Sequence, residues 1–490
     1  MGYSIEEIKE VIGGKDASVV NHPKCVIEHL TMDSRKISFA ASSLFFAIKT
    51  ATRDGQEFVM QAYQQGIRNF VIQGAIHEEL KSILPEVNVL VVDETVTALQ
   101  TLAAFHRRKF NYPVIGITGS NGKTIVKEWL NFLLEDKYRI VRSPRSFNSQ
   151  IGVPLSVWEM DASSELGIFE AGISTTNEML HLENVIAPSI GVLTSIGDAH
   201  DSGFNNKLQK LREKLILFKR ATVLFYSSVE EWVINEVERF QREVNAPFKL
   251  IRIGADENAD VQINAEPLTE RNGIMRLTAK VKTNAKDDLI KVQIPISDQA
   301  SIHNAGICLA VINYLRIDAQ TCVEKMAKLP VIDMRLQVLP AINGCTIIND
   351  SYSLDQHSLQ VALDLLNQQL LDKTLILSDI PGLKDGELES AYTEMAALIQ
   401  HKNLGRLITI GPVWKRFGCL LKALPKTEQY GSTTEFIERF QLSQFKAEAI
   451  LLKGARSFLF EDIFHLLQEK VHQTRLEISL PSIIHTQKNL

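Results

Sequence analysis

Cysteine is sparse in this chain. The five present among 490 residues, Cys25, Cys308, Cys322, Cys345 and Cys419, are scattered and odd in number, with no Cys-x-x-Cys pair. That pattern argues against both a disulfide framework and a zinc cage. With 26 glycines and 15 prolines, the chain has too few of either for a collagenous or low-complexity sequence. No apolar run approaches the roughly 18–20 residues that a membrane-spanning helix needs. The opening stretch MGYSIEEIKEVIGG is acidic and helix-like, with neither the basic start nor the apolar centre of a signal peptide. An excess of cations is lacking as well. The 53 Lys and Arg residues against 58 Asp and Glu leave a net charge of −5, so no global positive field exists to hold nucleic acid. What is there is ordinary globular composition, 45% hydrophobic and 23% charged. At roughly 150 residues per domain the length suggests about three domains. The expectation is a soluble, cytoplasmic protein with no nucleic-acid partner and no membrane span.

Apolar runs of strand length recur between helical patterns: Phe70–Gln73, Val89–Val92, Val114–Thr118, Ile168–Glu170, Ile190–Thr194, Thr374–Leu377, Leu407–Ile410 and Ala449–Lys453. Short apolar strands alternating with helices predict an α/β protein built on parallel sheets. Between Gly254 and Ser297 the pattern becomes alternating, as in Ile274–Val281 and Ile290–Ile294, which predicts a small antiparallel insertion in a middle domain. Ile302–Lys328 reads as a helical stretch, as does Phe458–His472. Breaks near residues 108 and 329 divide the chain into an N-terminal domain (1–108), a central domain (109–329), a C-terminal domain (330–474) and a tail (475–490).

The sharpest local signal is Val114–Thr124, VIGITGSNGKT. A β-branched strand runs into Gly116, Gly119 and Gly122, and Lys123-Thr124 opens a helix that extends through Leu134. Glycines let backbone N–H groups wrap phosphate oxygens, and a helix N-terminus adds positive potential. Lys123 is placed to reach the β- and γ-phosphates of a nucleotide, and the Thr124 hydroxyl to bind Mg²⁺. The spacing departs from GxxxxGK[ST], because Ile117 stands where the first glycine belongs.

With that loop in place, the chain resembles the Mur ligase family, whose loop reads TGxNGKT. Further motifs follow in the family's order: Phe147–Pro154, Ile168–Gly172, Leu193–His200, Ser301–Asn304, Arg335, Asn349–Tyr352 and Leu451–Arg456. Asp33-Ser34-Arg35, followed by Leu44–Ala47 and Asp54-Gly55, resembles the block that holds a uridine-diphosphate sugar in the family. The tail Arg475–Leu480 resembles the opening strand of an alanine racemase, which some family members carry fused behind the ligase; no Schiff-base lysine for that activity follows before Leu490.

The resemblance implies a central ATP-binding domain flanked by a nucleotide-sugar-binding N-terminal domain and a Rossmann-like C-terminal domain. It implies ATP-dependent amide formation through an acyl phosphate. The member it matches best joins D-alanyl-D-alanine to UDP-N-acetylmuramoyl-tripeptide, a step in making peptidoglycan precursors. The implied nucleotide contacts are Gly119, Ser120, Asn121, Gly122, Lys123, Thr124, His303, Asn304, Arg335 and Asp350. Two magnesium ions are implied, on Thr124, Glu170 and His200. Lys123, Glu170, His200 and Lys214 take the catalytic roles, with Lys214 at the position where sister ligases carry a carbamylated lysine. Lys210 is the alternative register for it, and a solvated helix lysine the plainer alternative. Substrate contacts fall on Asp33, Ser34, Arg35, Asn148, Gln150, Lys453 and Arg456. For His303-Asn304 an N-cap role is open, and for Lys453 and Arg456 a solvated surface. Four positions depart from the family pattern: Ile125, Ile307, Ser353 and Ala455. Two alternatives stay open, a sister amino-acid or folate-type ligase and a nucleotide-binding scaffold of weakened catalysis.

Overall fold

The computed structural model of the chain describes residues 2–35, 37–50, 53–197, 203–227, 230–244, 248–267, 275–281, 288–296, 298–383, 385–421 and 426–468. They fall into two compact units. The first runs to Ile332 and takes in Asp355–Val361; the second comprises Asp333–Leu354 and the chain from Ala362 onward.

Besides the short antiparallel pair Tyr3–Ser4 and Val26–Ile27, the first unit contains two sheets. Four parallel strands, His29–Thr31, Ser43–Phe46, Asn69–Gln73 and Asn88–Val92, pair in sequence order. Successive side chains of a strand point to opposite faces, and the cores follow that rule. Leu44, Phe46, Val71, Leu90 and Val92 pack on one side with the helix Thr95–Arg107, while Phe45, Phe70, Ile72, Val89 and Val91 pack on the other. The break expected near residue 108 lies within this unit, because Ala103, Ala104 and Phe110 share a core with Val114 and Phe169.

The second sheet of this unit has nine strands, in the order Asp288–Ile294, Met275–Val281, Val261–Pro267, Lys249–Gly254, Val223–Ser227, Ile190–Leu193, Val114–Thr118, Leu166–Glu170 and Ile140–Arg142. The pairs from Val261–Pro267 through Ile140–Arg142 are parallel. The two strands nearest the insertion pair antiparallel. The antiparallel segment is therefore an extension of the parallel sheet's edge, with Leu277, Ala279, Val292 and Ile294 continuing the same core. Strand Val114–Thr118 lies between Ile190–Leu193 and Leu166–Glu170, so the chain winds to one side of it and then crosses to the other. Such a switch point opens a crevice at the carboxyl ends of the strands.

Two helical expectations need correction. Ile302–Lys328 is two helices, Gln299–Tyr314 and Ala319–Met326. Arg316 breaks the run with φ 56, and Asp318 caps the second helix by accepting from the Thr321 amide at 3.0 Å. Phe458–His472 contains the shorter helix Phe460–Leu467, entered through Leu459 at φ 52; residues 469–490, including the racemase-like tail, lie outside the described residues.

The second unit is a six-stranded sheet in the order Gln337–Pro340, Thr346–Asp350, Glu448–Lys453, Asp372–Ser378, Arg406–Ile410 and Thr427–Tyr430. Its first pair is antiparallel and the rest are parallel, the Rossmann-like α/β arrangement that the family resemblance implies. Ile347, Ile376, Ile408, Ile450 and Leu452 form one face of its core.

Candidate active site

The glycine-rich loop leaves strand Val114–Thr118 at the switch point, and two of its glycines are required by geometry. Gly119 has φ 149, and a Cβ there would stand 1.9 Å from Thr194 Oγ1; Gly122 has φ 88, with Asn304 Oδ1 2.6 Å from where its Cβ would be. The loop is held from the neighbouring strand end. The Ser120 amide donates to Ser195 O at 2.7 Å, Ser120 Oγ to Gly197 O at 3.0 Å, and Thr194 Oγ1 to Asn121 O at 2.5 Å. Helix Lys123–Leu134 starts immediately after Gly122, so its first amides have no intrahelical partner and form an anion-binding end. Lys123 Nζ donates to the loop's own carbonyls, Gly119 O at 2.7 Å and Ser120 O at 3.0 Å.

Behind the loop lies the carboxylate of Glu170, the last residue of strand Leu166–Glu170 and fully buried. Thr124 Oγ1 donates to Glu170 Oε2 at 3.1 Å and lies 3.0 Å from Ser146 Oγ; Asn148 Nδ2 is 3.4 Å from the same carboxylate oxygen. Glu170 Oε1 has no hydrogen-bond partner of proper geometry, although Lys127 Nζ stands 3.2 Å away. A hydroxyl and a buried carboxylate with spare acceptor capacity, beside a phosphate loop, is a donor set that suits a hard, oxygen-seeking cation such as Mg²⁺. Among the described residues no cluster of three or more His, Cys, Asp or Glu side chains adds to it. His200, expected as a further metal ligand, lies outside the described residues.

Lys214, in helix Lys207–Leu215, is 2% exposed and its Nζ donates to Gly119 O at 3.1 Å, so it is no solvated helix lysine. Lys210, one turn earlier and also buried, donates to Gly197 O. The two lysines that flank them, Lys207 and Lys219, are exposed.

Asn304 lies against Gly122 from helix Gln299–Tyr314, and His303 sits beside it. Neither caps the helix: Asp298 does, accepting from the Ser301 amide at 2.8 Å. Burial lowers the His303 imidazole below its ordinary pKa. Gln150 receives a bond from Gln100 Nε2 at 2.9 Å and donates to Glu178 O at 3.3 Å, which ties the helix Thr95–Arg107 to the central part of the unit. In the four-stranded part, the exposed Arg35 guanidinium grips Asp33 through two bonds, at 2.8 and 3.0 Å, and Ser34 Oγ donates to Gln61 Oε1 at 2.7 Å. Ile125 and Ile307, two departures from the family pattern, pack into or against one core.

The second unit gathers a cluster of its own. Lys453, fully buried at the end of strand Glu448–Lys453, is 2.7 Å from Asp350 Oδ2 and donates to Ser353 O at 2.7 Å. Arg335 stacks over the Tyr352 ring at 4.1 Å and reaches Ser353 Oγ at 3.3 Å, while the exposed Arg456 lies 5.6 Å from that ring. Of the two residues for which a solvated surface was open, Lys453 is buried and Arg456 exposed. Ala455, in place of a serine, is buried, and its amide donates to Ser378 Oγ at 2.9 Å.

Inspection of the sequence missed Lys127, Ser143 and Ser146. The one available signal was Lys127 itself: a lysine on the apolar face of helix Lys123–Leu134, one turn after Lys123.

The family described as Mur ligase middle domain matches residues 117–312, and that described as Mur ligase family, catalytic domain, matches residues 26–107. The UDP-N-acetylmuramoyl-tripeptide--D-alanyl-D-alanine ligase of Treponema pallidum is 34% identical over 459 residues, spanning 90% of this chain and 94% of the relative. The enzyme of the same name from Bacillus subtilis is 28% identical over 469 residues, spanning 94% and 97%. Among solved structures, MurF from Acinetobacter baumannii superposes with a TM-score of 0.78 at 21% identity, covering 95% of this chain and 99% of that one. MurF ligase from Thermotoga maritima in complex with ADP gives 0.70 at 19% identity, covering 90% and 96%.

Proposed function

The chain belongs to the Mur ligase family, and on that footing we propose that it joins D-alanyl-D-alanine to UDP-N-acetylmuramoyl-tripeptide at the expense of ATP, in the assembly of peptidoglycan precursors. The observation that carries this reading is the placement of a buried strand-end carboxylate, Glu170, against Thr124, at the mouth of a phosphate loop headed by Lys123. The relatives named for this reaction align along nearly the whole chain.

The chemistry divides among the chain's own residues as follows. Loop amides and the start of helix Lys123–Leu134 take the phosphates, and Lys123 exchanges the carbonyls of Gly119 and Ser120 for the β- and γ-phosphate oxygens. Thr124 and Glu170 would hold magnesium, which when bound neutralises charge on the transferring phosphoryl group. The tripeptide carboxylate attacks the γ-phosphorus and ADP leaves. The dipeptide amine then attacks the acyl phosphate, loses a proton and expels phosphate. Phosphoryl transfer asks chiefly for positioning and charge neutralisation, and a loop pinned from the neighbouring strand end supplies positioning. His200 takes a second ion in this proposal, and Asn148 and Asp33–Arg35 the substrate. In the same proposal Arg335 and Asp350 take nucleotide contacts, and Lys453 and Arg456 take the incoming dipeptide. Lys214 takes its catalytic place beside the loop through the bond of its Nζ to Gly119 O. A cytoplasmic setting follows from the substrates, because ATP and UDP-sugars are cytoplasmic pools. Among the described residues no helix is long and apolar enough to cross a membrane.

The test is ADP release with UDP-N-acetylmuramoyl-tripeptide and either D-alanyl-D-alanine, single amino acids or glutamate with folate. Turnover that requires the dipeptide is expected. Its absence with the dipeptide, in protein that still binds ATP, would leave the sister-ligase or scaffold alternatives.

A further inference from the structure

We infer that Lys127 is a positioning residue of the active site: its buried ammonium orients Glu170 and shapes the turn that faces Thr124. This rests on the ligase reading for its meaning and on the following contacts for its evidence. Lys127 is 0% exposed. Its Nζ lies 3.2 Å from Glu170 Oε1 and 2.9 Å from Glu128 Oε1, and donates to Ser143 O at 2.8 Å and to Arg145 O.

The two oxygens of Glu170 are thereby given different surroundings. Oε1 faces the ammonium, and Oε2 faces Thr124 Oγ1 and Asn148 Nδ2. Attraction between the ammonium and Oε1 draws that edge away from Thr124 and leaves Oε2 turned toward it. The same ammonium fastens the turn after strand Ile140–Arg142 at two carbonyls. Arg145 there has φ 49, a conformation that needs outside support in a residue with a Cβ. Ser143 Oγ accepts from the Glu170 amide at 3.3 Å, and Ser146 Oγ stands 3.0 Å from Thr124 Oγ1. One cation therefore sets both sides of the Thr124–Glu170 pair.

The position lies on a helix face otherwise made of Val126, Trp129, Leu130, Leu133 and Leu134, where an apolar side chain would satisfy packing at less desolvation cost. What an ammonium does there that a hydrocarbon would not is counterbalance Glu170 and hold two carbonyls.

The experiment compares the full-length wild type with Lys127→Met, a substitution of similar length without charge. For a folded variant, kcat should fall about tenfold or more and the half-saturating Mg²⁺ concentration should rise about tenfold. The KM values for both peptide substrates, and the affinity for ADP measured calorimetrically in EDTA, should stay within about threefold of wild type. A merely structural lysine would lower the melting temperature and leave the Mg²⁺ dependence of the folded enzyme unchanged. Wild-type kcat and Mg²⁺ dependence in folded Lys127→Met would overturn the inference. Should Lys127→Met fail to fold, the paired variant Lys127→Met/Glu170→Gln decides. Recovery of folding when both charges are gone supports Lys127 as the partner of Glu170, and no recovery overturns it. Loss of dipeptide-dependent turnover in the wild type would instead strike the ligase reading, and the melting comparison would still report on the Lys127–Glu170 pair.

Discussion

Lys123 and Lys214, from different helices, both donate to the carbonyl of Gly119, at 2.7 and 3.1 Å. Two ammonium groups on one peptide oxygen at the head of a phosphate loop concentrate positive charge where a polyphosphate would sit. Each bond to that carbonyl is one a stronger acceptor, a phosphate oxygen, would displace.

Lys123→Ala tests the first of the two. Lys123 is half-buried and donates to the Gly119 and Ser120 carbonyls of its own loop, so the fold should lose about 1 kcal/mol or less. Turnover should fall by about 100-fold or more, because a donor aimed at developing charge is removed. Coupled ADP-release kinetics beside a thermal melt separate the two effects, and a turnover within a few-fold of wild type would contradict the assignment.

Gly122→Ala probes the loop's backbone. At φ 88, with Asn304 Oδ1 2.6 Å from the new Cβ, the alanine must strain the turn or push Asn304 aside. A cost of about 1–3 kcal/mol is expected, part of it as weaker ADP binding by isothermal titration.

In the second unit, Asp350→Asn leaves the fully buried Lys453 ammonium without its carboxylate. Removing one partner of a buried pair costs about 3–5 kcal/mol. Scanning calorimetry should show the loss, and replacing Lys453 by Met in the same protein should return part of it. An unchanged melt would show that the pair contributes nothing.

His106 predicts a pH dependence. Its Nε2 donates to Met160 O at 2.8 Å, and in the neutral ring that burial favours, Nδ1 accepts from the Tyr3 hydroxyl at 2.7 Å. Burial holds its pKa below the ordinary 6.5, and the Tyr3 hydroxyl, pushed up to about 12, stays a donor. A histidine depressed on folding binds its proton more readily in the unfolded chain. The stability it contributes is therefore present above pH 6.5 and lost as pH falls through and below that value. Melts between pH 7.5 and 5.5 should show a steeper loss in wild type than in His106→Gln; parallel curves would refute it.

How much of this was legible in the sequence depended on how local the governing physics is. Strand Val114–Thr118, the loop and helix Lys123–Leu134 stand where their residues say, because glycine positions, β-branching and helix periodicity act between neighbours in the chain. The break after Tyr314 escaped notice, since Arg316 adopts φ 56 without a glycine to announce it. Asn304 looked like a helix start only because the true cap, Asp298, serves the same chemistry six residues earlier. Gln150 fitted a substrate motif, and only the folded chain shows that its side chain bonds Gln100 and Glu178 O within its own unit.

By itself the sequence determined the α/β class and the glycine-rich loop between a strand and a helix, both of which follow from short-range patterns. Tertiary structure alone decided that Thr124 meets Glu170, that Lys127 stands behind that carboxylate, and that Lys453 is paired and buried. The reason is the order of the strands. Which strand ends lie side by side is set by burying whole faces of a sheet, a collective free energy that no single stretch of residues records.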